Sequence, residues 1–451
     1  MKIVIIGCGR IGKTVLHNLI QEGHTITIID ENKDTIETLI EKYDVMGIVG
    51  NGASLEIQNE AKVKNADLVI ALSFSDELNI LACLVANKLG AKNTIARVRN
   101  PEYRQQVQDM KEELGLSLVV NPEKETAEEI FNIINLPSVN KIEHFAKGRV
   151  NLIQLTIEKD SILANETLSS LNKKIQSKVL ICAVIRNEEV TIPNGTFMLK
   201  AGDEIHITAD AESLGEFLRE VNLVKEPLKK IIIVGGSKIA HYLAEKLSSK
   251  RYKVKLIEND KKRAEELAEL LPKVTIVNGD GTNHDLLTEV GIESCDAFVS
   301  LTGIDEENII VSMYANKVKV RKTITKVNRE NLMSMVKDLG ITNTISPQNT
   351  VASKVISYVR AVTNKRGSNI KTLYRLVDNK VEALEFVAKK KGSFFDKPLK
   401  DLKIKKDCLV ACIIRDNEVI IPNGMSTIKL NDNVIVITTH KNFDDLTDIF
   451  D

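Results

Sequence analysis

The chain has 451 residues, with 62 Lys+Arg balanced by 62 Asp+Glu and a hydrophobic content of 43%. That is enough chain to bury several cores, which excludes a disordered protein, and without net charge there is no whole-protein field to draw in DNA, RNA or an anionic membrane. The longest apolar runs, Ile231 to Val234 and Val434 to Ile437 among them, fall far short of the roughly 20 residues a membrane-crossing helix needs.

From its first residues the chain runs into a strand, Ile3–Ile6, and a glycine turn. There is no long apolar core with a small-residue cleavage site, the pattern of a signal peptide, so a cytoplasmic location is expected. Short β-branched runs follow at Thr25–Ile29, Val45–Val49, Leu68–Leu72, Thr94–Val98 and Leu118–Val120. They alternate with helical stretches at Lys13–Gln21, Glu77–Leu89 and Glu102–Leu114. Such alternation predicts βαβ units and a doubly wound parallel sheet covered by helices on both faces. Pro122 opens a helix running to about Asn135, and Leu136-Pro137 stops it. Asn151 to Val221 then reads as a small α+β module containing Val179–Ile185, Val190–Ile192 and Asp203–Ile207, with Asn194-Gly195 as a tight-turn signal.

After a linker at Val224–Leu228 the same order returns. Ile-Pro-Asn-Gly closes at both Gly195 and Gly424, 229 residues apart, and Asn79 meets Asn308, and Gly50 meets Gly279, at that same spacing. One offset held over most of the length predicts a tandem duplication. The fold class expected is therefore α/β, with two Rossmann-like doubly wound domains over 1–124 and 230–349. Each is followed by a small α+β domain, over 140–225 and 368–451, giving four domains where length alone suggests three.

The chemistry is concentrated in the first turn of each copy. Gly7-Cys8-Gly9-Arg10-Ile11-Gly12 is a G-x-G-x-x-G placed between strand and helix. Its first glycine allows the tight turn, its second lets backbone approach a pyrophosphate, and its third lets helix pack on strand. Amides at the helix start then face the phosphates. Asp30 ends the second strand, where a carboxylate accepts ribose hydroxyls, or else is a solvated strand-end acid. The second copy has Gly235-Gly236-Ser237-Lys238-Ile239-Ala240, with Glu258 in place of Asp30. The second and third glycines have become Ser237 and Ala240, so a phosphate approaches less freely, although Lys238 keeps a cation where the first copy has Arg10. Ser73 and Phe74 follow the fourth strand and can face an adenosine, while Ser75 and Asp76 serve equally well as helix caps. Arg97 and Arg99 follow the fifth strand, with Lys326 and Asn328 as counterparts; Arg97 reaches either a phosphate or a surface ion pair.

Together Gly7–Gly12, Asp30, the glycine pairs Gly50/Gly52 and Gly279/Gly281, Ser73–Glu77 with Asn79, Ala96–Arg99 and the two Ile-Pro-Asn-Gly turns resemble the RCK (KTN) regulators of potassium transport in duplicated form. The resemblance covers essentially the whole chain. It implies a cytoplasmic protein, peripheral to the inner face of the membrane, that assembles as a homo-oligomeric ring beneath a separate potassium-transporting membrane subunit. It also implies that NAD(H), or ATP and ADP, bind the Rossmann-like domains and shift the ring. Carried over by position, the nucleotide contacts are Gly7 to Gly12, Asp30, Ser73, Phe74 and Arg97, and in the second copy Gly235, Gly236, Ser237, Lys238, Ile239 and Glu258. Arg10 is further placed to reach across a subunit boundary.

An NAD-dependent oxidoreductase is the alternative, since the same fingerprint serves hydride transfer. Such an enzyme needs an acid or base over the nicotinamide, and the seven histidines, His17 and His241 included, are scattered. The six cysteines show neither metal nor disulfide spacing; Cys408 and Cys412, four apart on one strand face, read as core. A pure scaffold is a third reading, opposed by the intact first fingerprint. The Lys389–Lys391 and Lys403–Lys406 runs read as solvated surface or as contacts to acidic loops of a membrane partner.

Overall fold

The computed structural model describes residues 1–451 apart from 101, 102, 104, 105, 108, 136–140, 146–149, 188, 224–227, 342, 365–369, 377–380, 390, 391, 393, 417, 441, 442 and 444. Most of the expected linker, the Leu136-Pro137 stop, parts of the Glu102–Leu114 helix and Lys390 with Lys391 lie outside the described residues.

Strands β1 (Lys2–Ile6), β2 (Thr25–Asp30), β3 (Met46–Val49), β4 (Leu68–Ala71), β5 (Thr94–Arg97) and β6 (Leu118–Val120) form a parallel sheet in the order β3-β2-β1-β4-β5-β6. This is the doubly wound arrangement, whose strand order reverses between β1 and β4. Strands β7 (Lys141–Phe145), β8 (Val150–Thr156), β9 (Leu180–Arg186), β10 (Glu189–Thr191) and β11 (Glu204–Ala209) form a five-stranded antiparallel sheet. The second half repeats both sheets. Its parallel sheet holds β12 (Lys230–Val234), β13 (Lys253–Glu258), β14 (Thr275–Asn278), β15 (Ala297–Ser300), β16 (Lys322–Lys326) and β17 (Thr344–Ile345), in the order β14-β13-β12-β15-β16-β17. Strands β18 (Ile370–Leu376), β19 (Val381–Val387), β20 (Cys408–Arg415), β21 (Glu418–Ile420) and β22 (Asn433–Thr438) complete it.

The parallel sheets belong to one compact unit, 1–134 with 228–359, and the antiparallel sheets to another, 135–227 with 360–451. In the first unit, successive side chains of a strand point to opposite faces. Ile3 and Ile5 of β1 therefore enter one core and Val4 and Ile6 another, and Ile231 and Ile233 of β12 separate likewise from Ile232 and Val234. Burial on both faces explains why these strands read as unbroken apolar runs.

Two helices exchange partners. Pro122–Asn135 closes the first half, yet Ala127, Ile130, Phe131 and Ile134 lie in the core of the second sheet beside Leu243 and Leu256. Conversely Val351, Val355 and Val359 of helix Pro347–Asn364 lie in the core of the first sheet with Leu16 and Ile28. Polar contacts frame the exchange: Lys246 pairs with Glu128, Lys354 with Glu125, and Thr350 Oγ1 donates to Glu129 at 2.7 Å. The sequence marks the helices, but which sheet each covers is a long-range choice that periodicity does not encode.

In the second unit, each antiparallel sheet is pinned by a corresponding ion pair. Arg186 Nη2 donates to Asp203 at 2.7 Å and Arg415 Nη2 to Asp432 at 2.8 Å. The hairpin from β9 to β10 turns at Asn187, which has φ 52°. Asn194-Gly195 makes a separate turn beyond it, in which Asn194 Oδ1 accepts from the Thr196 amide at 3.1 Å. There a Cβ on Gly195 would stand 2.5 Å from Ser169 Oγ, a contact that rotation of the serine hydroxyl would relieve. The expectation that Cys408 and Cys412 share a face is corrected. The pairing of β20 with β22 shifts register between Val410 and Cys412, sending Val410 into one core and Cys412 into another.

Candidate functional site

At the carboxyl ends of the first parallel sheet, beside the reversal between β1 and β4, lies a cleft of about 490 Å³. This is where ligands of open α/β sheets sit. Gly7, Gly9, Arg10, Ile11, Asp30, Ser73, Phe74 and Arg97 all line it. Cys8 and Gly12 support the turn from behind. The Cys8 side chain is fully buried, its thiol pushed up to about 12 by burial and then by Asp30, so the residue offers its backbone rather than its sulfur.

The glycines have distinct reasons. Gly7 has φ 88°, and a Cβ there would lie 2.5 Å from the Ser73 amide nitrogen; a Cβ on Gly12 would lie 2.1 Å from the Gly7 carbonyl oxygen. A Cβ on Gly9, by contrast, meets nothing within 4 Å. Helix Arg10–Gln21 starts there with no side-chain cap, leaving its N-terminal amides open to the cleft. Replacing Gly9 by Ala is therefore expected to leave the thermal unfolding midpoint within about 1 °C while weakening a phosphate-bearing ligand by about tenfold or more. Gly7→Ala is expected to lower the midpoint by several degrees, about 1–2 kcal/mol coming from the left-handed backbone alone. Differential scanning calorimetry with and without ADP reads both.

Asp30 already has structural work. Its Oδ2 accepts from the Cys8 amide at 2.7 Å and its Oδ1 from the Asn32 amide at 2.9 Å. Each oxygen keeps a lone pair for a ribose hydroxyl. Phe74 is 84% exposed at the rim, an aromatic face open to a base.

The floor of the cleft carries its strongest electrostatic feature. Arg97 is 9% exposed, and its Nε and Nη2 are buried without a hydrogen-bond partner. Burial lowers its pKa first, then Arg99, against the opposing pull of Glu123 and Asp76. The ion pair falls instead to Arg99, whose Nε lies 2.6 Å from Glu123 Oε1. A buried guanidinium with open donors is costly unless an anion meets it.

Several further residues shape the cleft in ways that local motifs do not mark. Glu123, at the start of the Pro122–Asn135 helix, lines the cleft, and so do Asn328, Pro347 and Gln348 from the second half. Asn79 clamps the floor: its Oδ1 accepts from the Ser73 amide at 2.8 Å and its Nδ2 donates to the carbonyls of Ser73 and Arg97. Asn308 repeats that clamp on Thr302 and Lys326, which is the physical content of the matched asparagines in the repeat. Arg10 also borders a neighbouring crevice of about 760 Å³ with Asn328 and Arg329, so it faces the other half of its own chain.

In the second half, Gly235, Gly236, Ser237 and Glu258 line a corresponding cleft of about 480 Å³. Lys238 and Ile239 are not among its lining residues; Lys238 is exposed, and Ile239 is buried in the core beneath. Glu258 holds the turn as Asp30 does, with Oε2 accepting from the Gly236 amide at 2.6 Å.

The chain matches the TrkA-N domain family over 3–122 and 231–347 and the TrkA-C domain family over 152–222 and 383–451. It is 29% identical to the Trk system potassium uptake protein TrkA of Haemophilus influenzae, with all of this chain and 98% of that protein aligned. It is 30% identical to the Trk system potassium uptake protein TrkA homolog 1 of Methanosarcina mazei, over 97% of each. Among solved structures, the GsuK channel bound to NAD superposes with a TM-score of 0.65 at 17% identity, covering 98% of this chain and 77% of that one, a likeness of fold.

Proposed function

The chain belongs to the TrkA family, with its TrkA-N and TrkA-C domains each present twice, and from that premise we propose that it is a nucleotide-binding regulatory subunit that gates potassium uptake through a separate membrane-embedded subunit. The observation that carries nucleotide binding is Arg97, a buried guanidinium with free donors on the floor of a cleft that also presents an uncapped helix start and Asp30. NAD(H) is the first candidate, supported by the NAD-bound GsuK fold, with ATP or ADP next. The site fits such ligands from adenine to phosphate: Phe74 for the base, Asp30 for the ribose, and the helix amides with Arg97 for the phosphates.

Among the described residues no helix is long and apolar enough to cross a membrane, which is why the conducting part is assigned to another chain. The protein then works on the cytoplasmic side, as a homo-oligomeric ring docked on that partner. Regulation follows from the composition of the cleft. Asn328, Pro347 and Gln348 come from the opposite half, so a ligand's affinity depends on how the halves are arranged. It shifts that arrangement only by its differential affinity, and a 10- to 100-fold preference corresponds to about 1.4–2.7 kcal/mol.

Calorimetric titration of the purified chain with NADH and with ADP tests the binding step. Both are expected to bind, and Asp30→Ala to weaken each by about tenfold through the lost ribose contacts. Unchanged affinity in the variant would remove Asp30 from the site, and substrate-dependent consumption of NADH would turn the reading to an oxidoreductase.

A further inference from the structure

The two clefts share the left-handed first glycine of the turn and the carboxylate that holds it, and differ in the groups that would meet a phosphate. In the first, the space beside Gly9 is empty and the helix start is uncapped. In the second, Ser237 occupies the Gly9 position, and its side chain accepts from the Ala240 amide, capping helix Lys238–Ser249. The hydroxyl thus sits where a pyrophosphate would approach and takes up an amide that would bind it.

The cations are displaced as well. Arg97 corresponds to Lys326, which is buried and turns its Nζ to the Leu301 carbonyl at 3.5 Å, with burial shifting it toward the neutral form. Arg263 donates Nε to the Gly236 carbonyl at 3.1 Å and Nη1 to Glu266 at 3.0 Å, directing its fork to the back of the turn. Among the described residues, the lining that remains includes the acids Glu258, Asp280 and Glu307 and no Lys or Arg. Ionised carboxylates only accept hydrogen bonds, so this cleft is built for a ligand rich in donors and poor in negative charge.

We propose that the second cleft takes a nucleoside without phosphates, uncharged or cationic, held through its ribose hydroxyls by Glu258, while phosphorylated nucleotides are confined to the first cleft. The cleft has the volume of an ordinary small-molecule site. Glu258 sits at the end of β13 as Asp30 does at the end of β2, and its two oxygens keep lone pairs beyond those given to the amides of Gly236 and Asp260. The proposal rests on the nucleotide reading of the first cleft only for the contrast between them; the chemistry of the second stands on its own residues. One chain would then sense two signals, a phosphorylated nucleotide and a free nucleoside, in two related sites.

Calorimetry on the full chain tests this with adenosine as the probe. With ADP saturating, adenosine is expected still to bind one equivalent, and Glu258→Gln to weaken it at least tenfold without changing ADP binding. Glutamine retains an oxygen to accept the Gly236 amide, and the competition arm needs no variant at all. The proposal is overturned if saturating ADP abolishes adenosine binding. It is equally overturned if ADP titrates to two equivalents of which Glu258→Gln removes one, or if no Glu258-dependent adenosine binding is found. Should ADP fail to bind, the reading of the first cleft falls, and the Glu258 dependence of adenosine binding still decides the second.

Discussion

Replacing Arg97 by Met is expected to weaken ADP binding by about 100-fold while leaving the free protein as stable as before, or more so. The two effects have one origin. In the free chain the guanidinium is buried, its Nε and Nη2 lack partners, and burial together with Arg99 disfavours its charge more than Glu123 and Asp76 favour it. A methionine of similar length fills the space without that cost, as apolar replacements of buried charges often do. With a phosphate bound, the same donors make charge-assisted hydrogen bonds, each contributing about 1.5–3 kcal/mol. The loss therefore falls on the complex alone. Thermal unfolding shows the separation: at a hundredfold excess over its Kd, ADP adds about 2.7 kcal/mol to the wild type, and at that same concentration it should add only about 0.4 kcal/mol to the variant. Arg97→Lys should fall between, with the charge kept and the planar fork lost. Full ADP affinity in Arg97→Met would show that the guanidinium does not meet the phosphate.

The strands, the first fingerprint and the repeat are legible in the sequence because these depend largely on local or periodic constraints. Gly12 is fixed by crowding against the Gly7 carbonyl within the turn, Gly7 by a left-handed backbone as well as by the distant Ser73, and the apolar runs of β1 and β12 by burial on both faces. What stayed hidden depends on contacts distant in sequence. Arg97 and Arg99 look equivalent in Ala96–Arg99, yet only the fold shows that Glu123 takes Arg99 and leaves Arg97 open. Lys238 keeps the charge of Arg10 without lining the cleft, and the one-residue shift in β20 that separates Cys408 from Cys412 leaves no mark in the alternation of the strand. The asparagines Asn79 and Asn308 were visible as a matched pair, but their role as clamps required the carbonyls they hold.

Ile130→Ala is expected to destabilise the half of the chain to which Ile130 does not belong in sequence. Its side chain is fully buried in the core of the second parallel sheet, with Ile231, Leu243 and Leu256. Removing the buried methylenes should cost about 2–5 kcal/mol, according to how far the site collapses. Hydrogen exchange resolves where that loss falls. Amides of Lys230–Val234 and Lys253–Glu258 should exchange faster by about 30-fold or more, each 1.4 kcal/mol being tenfold, while those of Lys2–Ile6 hold. Val355→Ala should give the mirror image, since Val355 lies in the core of the first sheet with Leu16 and Ile28. Faster exchange in Lys2–Ile6 alone on Ile130→Ala would mean that each helix covers its own half. The exchange of helices also bears on signalling. Helix Pro122–Asn135 begins at the first cleft with Pro122 and Glu123 and continues, through Ile130 and Ile134, into the core of the other half. A ligand that draws on Arg97 and Glu123 therefore acts on the end of an element whose packing energy belongs to the second sheet. Coupling between the halves then needs no chain of intermediates beyond this helix and its counterpart from Pro347. If so, Ile130→Ala should reduce the influence of ADP on exchange in Lys230–Val234 even where the ligand still binds.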